Sequence, residues 1–516
     1  IKAYEKALLL KPDYPEAHYN IGNALVGQFK RDEAIEVYEK ALSLKPDHAK
    51  AQAQKLHQQA HICDWSDIDT NCSHLAELGV VGESVSIFAM LSLDDCPERQ
   101  LKRAKKTMKE YLPQKALKNN EALANDNVQD TPKLPKKSGV LENCKRIKLG
   151  FFSPIFHQNP VSILSAQVFE LHDKEKFEIF IFAYGKIKND QYFERLRNIG
   201  AQIIDASTMS DEQIAKLALE KDIDIAIEFN GFLRDARLGI FAHRVAPIQI
   251  NYLAYPGTMG ADYYDYIIAD QIVIPDTQKR NYSENIIYMP NSYLAQDNSR
   301  QISNKSVSRT TFGLPEHGFV FCCFNNSFKI GPREFDIWAR LLNKVNGSVL
   351  WLMKSNKWSE RNLKNEASKR GIDPSRLVFA DKLPLEEHLG RLRLADLFLD
   401  TFNFNAHTTA SDALWAGVPI VTKIGKSFTA RVAGSLLAAI ELPELITTTE
   451  QEYEALALSL ATNSNKFKKI RSKLAQKTNS ASLFDTKTYT KNLELAYLQA
   501  YQRHTDGLPP AEFKVL

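Results

Sequence analysis

Leu394-Ala395-Asp396-Leu397-Phe398-Leu399-Asp400-Thr401, and after a short turn Asn405-Ala406-His407-Thr408-Thr409-Ala410-Ser411-Asp412, read as a buried strand leading into the opening of an apolar helix. The first N–H groups of a helix have no intrahelical acceptor and carry the positive end of the macrodipole, so phosphate binds well there. Asp412 follows Thr408 by four residues and shares its helix face. A diphosphate at the helix tip, with Asp412 holding a ribose hydroxyl one turn later, would make a nucleotide site. The competing reading is a pair of threonines that cap the helix beside a solvated Asp412.

Working outward, this stretch belongs to a series of short apolar segments that alternate with helices. Residues 319–324, 348–353, 377–380, 397–400 and 419–422 are strand candidates, and an earlier series runs through 147–153, 177–184, 202–206, 223–229, 248–254 and 266–269. Such alternation predicts α/β architecture with two doubly wound parallel sheets, divided by the polar segment 298–315, which could face each other across a cleft. Ligands of such folds sit at the carboxyl ends of the strands. Neither series contains GxGxxG or GxxxxGK[ST], which argues against a dinucleotide enzyme and a P-loop NTPase.

Further upstream the chain repeats itself. Tyr4-Glu5-Lys6-Ala7-Leu8-Leu9-Leu10-Lys11-Pro12-Asp13 recurs as Tyr38-Glu39-Lys40-Ala41-Leu42-Ser43-Leu44-Lys45-Pro46-Asp47, an offset of 34 residues. That is the period of the tetratricopeptide helix pair, and Gly22, Leu25, Ala34, Tyr38, Ala41 and Pro46 stand where it needs small and large packing residues. One complete unit and the tail of another are present, the chain opens at Ile1 within a helix, and a stack needs about three units, so further repeats are expected upstream. Residues 49–111 continue as amphipathic helix, broken at Cys63-Asp64-Trp65-Ser66-Asp67, and 114–146 reads as a mobile, solvated connector.

The 516 residues are too many for one core, and the net charge of +4 with interspersed signs offers no stripe for nucleic acid. Six cysteines (Cys63, Cys72, Cys96, Cys144, Cys322, Cys323) lack CxxC spacing and histidine companions, and read as reduced thiols of a cytoplasmic protein. There is no bilayer-length apolar run, and no signal peptide is expected.

Three segments follow strands of the second series. Phe324-Asn325-Asn326-Ser327-Phe328-Lys329-Ile330-Gly331-Pro332 places a lysine just past a buried strand, where it could meet a leaving diphosphate. Pro384-Leu385-Glu386-Glu387-His388-Leu389-Gly390-Arg391 puts His388 and Arg391 on one helix face, suited to a base edge or ribose. The third is the His407–Asp412 segment quoted above. Together with Tyr255-Pro256-Gly257-Thr258-Met259-Gly260, Asp265-Tyr266-Ile267-Ile268-Ala269-Asp270, Tyr288-Met289-Pro290 and Leu414-Trp415-Ala416-Gly417, these segments make the chain resemble the tetratricopeptide-containing protein O-GlcNAc transferases, in a bacterial-type form. Those are inverting glycosyltransferases with two facing Rossmann-like lobes, the GT-B architecture. The resemblance covers nearly the whole chain. It implies repeats over 1–48, a helical region and connector over 49–146, a first catalytic lobe over 147–312 and a nucleotide-binding lobe over 313–516.

What the resemblance implies for the site can be carried over position by position. Lys329 matches the lysine on the diphosphate, and His407, Thr408 and Thr409 the phosphate-binding trio. Asp412 matches the ribose carboxylate, and His388 and Arg391 the groups beside uracil and its ribose. Asn326 stands where the family often has glutamine. Gly257, Thr258 and Met259 match the loop bordering the sugar. Three positions depart: Phe328 replaces a tyrosine, Leu385 a lysine near the uracil, and Asn159 aligns with a first-lobe histidine, His157 lying two residues earlier. Either the histidine has moved or an amide, which cannot be a general base, takes its place.

The expected reaction is inverting transfer of a sugar, N-acetylglucosamine from UDP-GlcNAc, to serine or threonine hydroxyls of polypeptides lying along the repeat array. Asn20 is placed to belong to an inward-facing amide series there, or is an ordinary surface residue. The base would be His157, Asp224 or a donor phosphate oxygen. Asp222-Ile223-Asp224 has the DxD spacing of metal-dependent transferases but opens a strand, away from the carboxyl ends, so no metal is expected. The alternatives are another nucleotide sugar (glucose, fucose), a glycan acceptor, or a nucleotide-sugar-binding scaffold with decayed catalysis.

Overall fold

The computed structural model describes residues 1–68, 72–111 and 146–516. The chain divides into two units, one of Ile1–Arg99 and Arg300–Asn479, the other of Gln100–Ser299 and Ser480–Leu516.

The repeat helices open the first unit: Lys2–Leu10, Pro15–Gly27, Arg31–Leu44 and Ala49–His61. Ala34, Tyr38 and Ala41 are wholly buried between them. A side chain at Gly22 would collide with the Tyr38 ring, and the Tyr38 hydroxyl donates to Asn23 Oδ1 at 2.8 Å. The small–large pairing read from the repeat is this contact. Asn20 is partly exposed on the second of these helices. After Ala49–His61 the chain turns through Cys63, whose φ of 52° is left-handed, and returns as Cys72–Glu77, Ile87–Met90 and Pro97–Tyr111. The connector expected over 114–146 falls almost wholly outside the described residues.

Fourteen strands are numbered along the described chain: β1 Ile147–Ser153, β2 Phe177–Ala183, β3 Gln202–Asp205, β4 Ile225–Glu228, β5 Ile248–Asn251, β6 Tyr266–Ala269, β7 Asn285–Tyr288, β8 Val320–Cys323, β9 Val349–Met353, β10 Leu377–Ala380, β11 Leu397–Leu399, β12 Ile420–Lys423, β13 Ile446–Thr447 and β14 Phe513–Lys514. They form two sheets, ordered β14-β7-β6-β5-β4-β1-β2-β3 and β10-β9-β8-β11-β12-β13, with every pairing parallel. The predicted strands are present, most of them trimmed by a residue or two at their ends; the one expected over 248–254 stops three residues early, at Asn251, and that expected over 419–422 runs from Ile420 to Lys423. β7, β13 and β14 were not foreseen.

The lobe boundary also differs from the expected 312/313. Residues 300–312 belong with the unit that holds the second sheet, and the chain from Ser480 returns to the other. There the helix Thr486–Thr505 buries Leu493, Ala496 and Tyr497, and Glu494 takes the ring Nδ1 of His172 at 3.1 Å. Phe513 and Lys514 then pair with Ile287 and Tyr288 at the sheet edge.

In the second sheet the order reverses between β8 and β11: connections run toward β10 on one side and β13 on the other. Such a reversal splays the loops leaving the two central strands and opens a crevice at their carboxyl ends. The loops concerned carry Phe324–Lys329 and Asp400–Thr409.

Candidate functional site

Asp400 directly follows β11 and is the centre around which the site is folded. It is wholly buried, and its Oδ1 accepts from the backbone N–H groups of Thr401 (2.8 Å) and Ala406 (2.7 Å), its Oδ2 from the Thr422 hydroxyl (2.7 Å). Burial raises its carboxyl to about 7, against those bonds. The carboxylate therefore ties residues 401–406 into a tight loop and directs the chain into the helix Thr408–Trp415.

That loop receives Lys329. Its Nζ donates to the carbonyl oxygen of Asn405 at 2.9 Å and lies 3.9 Å from the centre of the Phe404 ring. Burial pushes the amine down to about 8, while the negative charge of Asp400 pulls the other way. An ammonium so poorly hydrated gains much from an arriving anion.

The helix beginning at Thr408 has His407 as its N-cap residue with no side-chain cap bond, so neither threonine caps it. Thr409 Oγ1 instead donates to Asn325 Oδ1 at 2.5 Å, and Asn325 Nδ2 reaches Thr401 Oγ1 at 2.8 Å. The reading of Thr408 and Thr409 as simple caps is thus overturned, and so is that of a solvated Asp412. Asp412 is buried, its Oδ1 2.6 Å from Arg300 Nη1, while Arg300 Nη2 donates to Ser411 at 3.0 Å. Burial raises the Asp412 carboxyl above its ordinary value, with Arg300 opposing.

His407 behaves differently from a simple phosphate donor. Burial, reinforced by Lys329, holds its imidazole well below the usual value. The neutral ring donates Nε2–H to Thr429 O at 3.2 Å and lies 4.9 Å from Phe404. Asn326, exposed, opens the turn Ser327–Lys329.

His388 and Arg391 do share a face of Leu385–Leu392, but they bond to each other. Arg391 Nε and Nη2 lie 3.2 and 3.0 Å from His388 Nδ1, and Nη1 donates to Asp381 O at 2.5 Å. Arg391 is 1% exposed, so it acts by fixing the histidine. Burial and the guanidinium bring His388 down to about 4; with Nδ1 accepting, the proton sits on Nε2 and makes that atom a donor.

In the other unit the expected residues are placed less uniformly. His157, partly exposed at the carboxyl end of β1, has Nε2 3.3 Å from Lys188 Nζ; burial and Lys188 lower its value, keeping it neutral. Asn159 is the N-cap of Pro160–Leu171: Oδ1 accepts from Val161 and Ser162 N–H, and Nδ2 donates to Ile155 O, His157 O and Ser162 Oγ. An amide committed at both ends cannot serve as a catalytic group, so that assignment is corrected. Asp224 is corrected as well. It lies at the amino edge of β4, where Oδ2 accepts from Lys148 N–H at 2.9 Å, joining the starts of two strands. Gly257, Thr258 and Met259 form a buried loop held by Glu284, which accepts from the Thr258 hydroxyl (2.6 Å) and Met259 N–H (2.7 Å).

Sequence reasoning missed Asn325, Asp400, Glu284 and Arg300. A carboxylate ending the apolar run Leu397-Phe398-Leu399-Asp400 was a signal for the second. Arg300, 112 residues from Asp412, gave none.

Residues 62–307 and 301–493 match the model of glycosyl transferase family 41. The chain belongs to that family. Tetratricopeptide repeat models match residues 15–48 and 1–28. A probable UDP-N-acetylglucosamine–peptide N-acetylglucosaminyltransferase, SEC, of Arabidopsis thaliana is 36% identical over 378 residues, 72% of this chain and 39% of that one. The UDP-N-acetylglucosamine–peptide N-acetylglucosaminyltransferase of Caenorhabditis elegans is 28% identical over 491 residues, 73% of this chain and 43% of that one. The chain therefore spans about two fifths of the length of these relatives. A solved structure of a mutant Thermobaculum terrenum O-GlcNAc transferase superposes with a TM-score of 0.75 at 25% identity, covering 98% of this chain and 87% of that one. The two parallel α/β lobes of this family 41 chain, preceded by the repeat helices, are accordingly the GT-B architecture that the sequence predicted.

Among the described residues no helix is long and apolar enough to cross a membrane.

Proposed function

We propose that this family 41 chain transfers N-acetylglucosamine from UDP-GlcNAc to serine or threonine hydroxyls of polypeptides, with inversion, in the cytoplasm. The observation that carries the reading is Lys329: a half-dehydrated ammonium at the switch point of the second sheet, beside a helix start whose threonines do not cap it. The relatives' names supply the donor and acceptor classes.

In this scheme the departing diphosphate takes Lys329 Nζ from the Asn405 carbonyl and lies against the N–H groups of Thr408 and Thr409, with the Thr409 hydroxyl beside it. A preorganised donor of this kind contributes about 3–4 kcal/mol to a developing anion. His407 supports from below: its ring proton belongs to Thr429, so it shapes the loop while the lysine supplies charge. His388 Nε2–H faces the base or ribose, and Asp412, steadied by Arg300, accepts from a ribose hydroxyl. Thr258 and its neighbours brace the sugar-side loop through Glu284.

Of the side chains weighed as bases, His157 keeps a neutral imidazole at the carboxyl end of its own sheet, and we carry it forward to take the acceptor's proton. No metal enters this scheme: the carboxylates near the switch point are already engaged, Asp400 by the N–H groups of Thr401 and Ala406 and the Thr422 hydroxyl and Asp412 by Arg300, and the DxD carboxylates Asp222 and Asp224 stand at the amino edge of the first sheet. The repeat helices receive the polypeptide.

A panel of radiolabelled nucleotide sugars, offered with serine- and threonine-bearing peptides and metal chelated, tests the reading. Label is expected from UDP-GlcNAc, in the β configuration by NMR. Calorimetric UDP binding without transfer from any donor would make the chain a nucleotide-sugar-binding scaffold; transfer from GDP-fucose would change the donor.

A further inference from the structure

Lys329 is held from behind by the helical segment that ends the repeats. Ser327 donates to the carbonyl oxygen of His61 at 2.7 Å, Trp65 Nε1 to Ile330 O at 3.2 Å, and Asn356 Nδ2 to the same His61 oxygen at 2.9 Å. Between these bonds runs an unbroken set of ring contacts. The His57 and His61 rings lie 5.5 and 4.8 Å from Phe328, which stands 6.0 Å from Phe404, the ring under Lys329. Phe88 closes the set, touching His57 (6.1 Å), Phe328 (5.9 Å) and Phe404 (6.1 Å).

A second strut reaches the same loop from the other side. Asp95 accepts from the backbone N–H groups of Lys426 and Ser427, and Asn403 Nδ2 donates to Ser92 O at 3.0 Å. Ser427 contacts Thr429 at 3.0 Å, and Thr429 O accepts from Asn405 N–H, the residue whose carbonyl holds Lys329.

We propose that Phe88 is a positioning residue for Lys329, locking the helical segment against Phe328 and Phe404 so that the end of the repeats fixes the place and hydration of the ammonium. The inference rests on the reading that Lys329 meets the diphosphate. The side chains of Phe88 and Phe404 interact edge to face (75° between planes), an arrangement that leaves the Phe404 face to the cation. Removing the Phe88 ring lets Phe404 tilt and admits water beside Lys329. The groups facing the lysine are Cys323 from β8, Asp400 from β11 and His407 from the helix start, with His57 and His61 behind Phe328 and Glu334 beside Cys323. None of these moves to a new partner in the variant, so rehydration sets the sign: the lysine becomes harder to deprotonate.

The test compares Phe88→Ala and Phe88→Leu with the unaltered chain. Lysines are reductively ¹³C-methylated, and the Lys329 signal, identified by its absence in Lys329→Arg, is titrated by NMR. In the same preparations kcat/KM is followed against pH and UDP binding by calorimetry. Phe88→Ala is expected to raise the Lys329 midpoint by about one unit, carry the alkaline limb of kcat/KM with it and lower kcat ~10- to 100-fold, with UDP affinity changed less than about threefold. Phe88→Leu, which keeps most of the volume, is expected to shift both in the same direction by about half as much. An unmoved midpoint in both variants, or a rate loss matching lost folded protein with the limb unmoved, overturns the positioning role. Full activity in Lys329→Ala would instead overturn the functional reading, whatever the midpoint in Phe88→Ala.

Discussion

The two sheets of this chain share one strand order, β3-β2-β1-β4-β5-β6 in the first and β10-β9-β8-β11-β12-β13 in the second, and each carries a buried acid just where its order reverses. Glu228 ends β4 and Asp400 directly follows β11; burial lifts both carboxyls to about 7. Each accepts backbone N–H groups, Glu228 those of Asn230 and Gly231, Asp400 those of Thr401 and Ala406. The consequences differ. The Glu228 turn leads to Phe232 and Leu233, whereas the Asp400 loop presents a carbonyl to Lys329 and delivers the chain to an uncapped helix start. A reversal point supplies a crevice and a folded turn in both sheets. In the scheme proposed here it becomes an anion site only where a second strand brings a cation to it, as the loop after β8 brings Lys329 to the Asn405 carbonyl.

The largest way to break this contrast is to remove the cation. Lys329→Ala is expected to lower kcat about 10²–10³-fold, the cost of one preorganised donor, with unchanged circular dichroism and melting within about 3 °C. The pH dependence follows in sign. Lys329 is charged below about 8 and neutral above it, so kcat/KM should fall about tenfold per unit above that value, and should fall again on the acid side, below the ordinary imidazole range, where His157 takes up a proton and no longer serves as the base. Bound diphosphate favours the charged lysine, so the alkaline limb of kcat should lie higher than that of kcat/KM. In Lys329→Arg the limb should vanish from the range below pH 10.

A smaller loss is expected on the other side. His157→Ala should lower kcat about 10²-fold while UDP affinity, assigned by the proposal to the second sheet, stays within twofold. Loss of UDP affinity with kcat intact would remove His157 from the chemistry. The comparison would then rest on the second sheet alone.

What the sequence disclosed follows the same divide. The second sheet's site is built from side chains close to strand ends, in segments of about ten residues, so Phe324–Lys329 and His407–Asp412 could be recognised by local order. What joins them is not local. Arg300 meets Asp412 across 112 positions, and Ser327 meets the His61 carbonyl across 266. The short strands β13 and β14 have two residues each and exist only because a parallel neighbour supplies their hydrogen bonds. No periodicity can develop in two residues, and the return of the chain after Ser480 was hidden for the same reason. His388 and Arg391 were rightly placed on one helix face, yet the spacing could not tell that the arginine would spend its donors on the histidine.

Asn159 sharpens the contrast most finely, because sequence and structure assign it different work. Aligned with a histidine, it was a candidate catalytic group; in place, it satisfies the first N–H groups of Pro160–Leu171 and binds back to Ile155 and His157. A cap of this type contributes about 1 kcal/mol, and the back-bonds fix the turn that carries His157. Asn159→Ala is therefore expected to lower stability by about 1–2 kcal/mol in urea titration, with kcat within about threefold. Asn159→Asp should keep the cap, since its carboxylate accepts the same N–H groups, but lose the donations to Ile155 and His157. If the role is capping, Asp should restore most of the stability and Ala should not. A loss of kcat by 10²-fold in Asn159→Ala, with stability unchanged, would return the amide to the chemistry and make the two carboxyl edges functional equals.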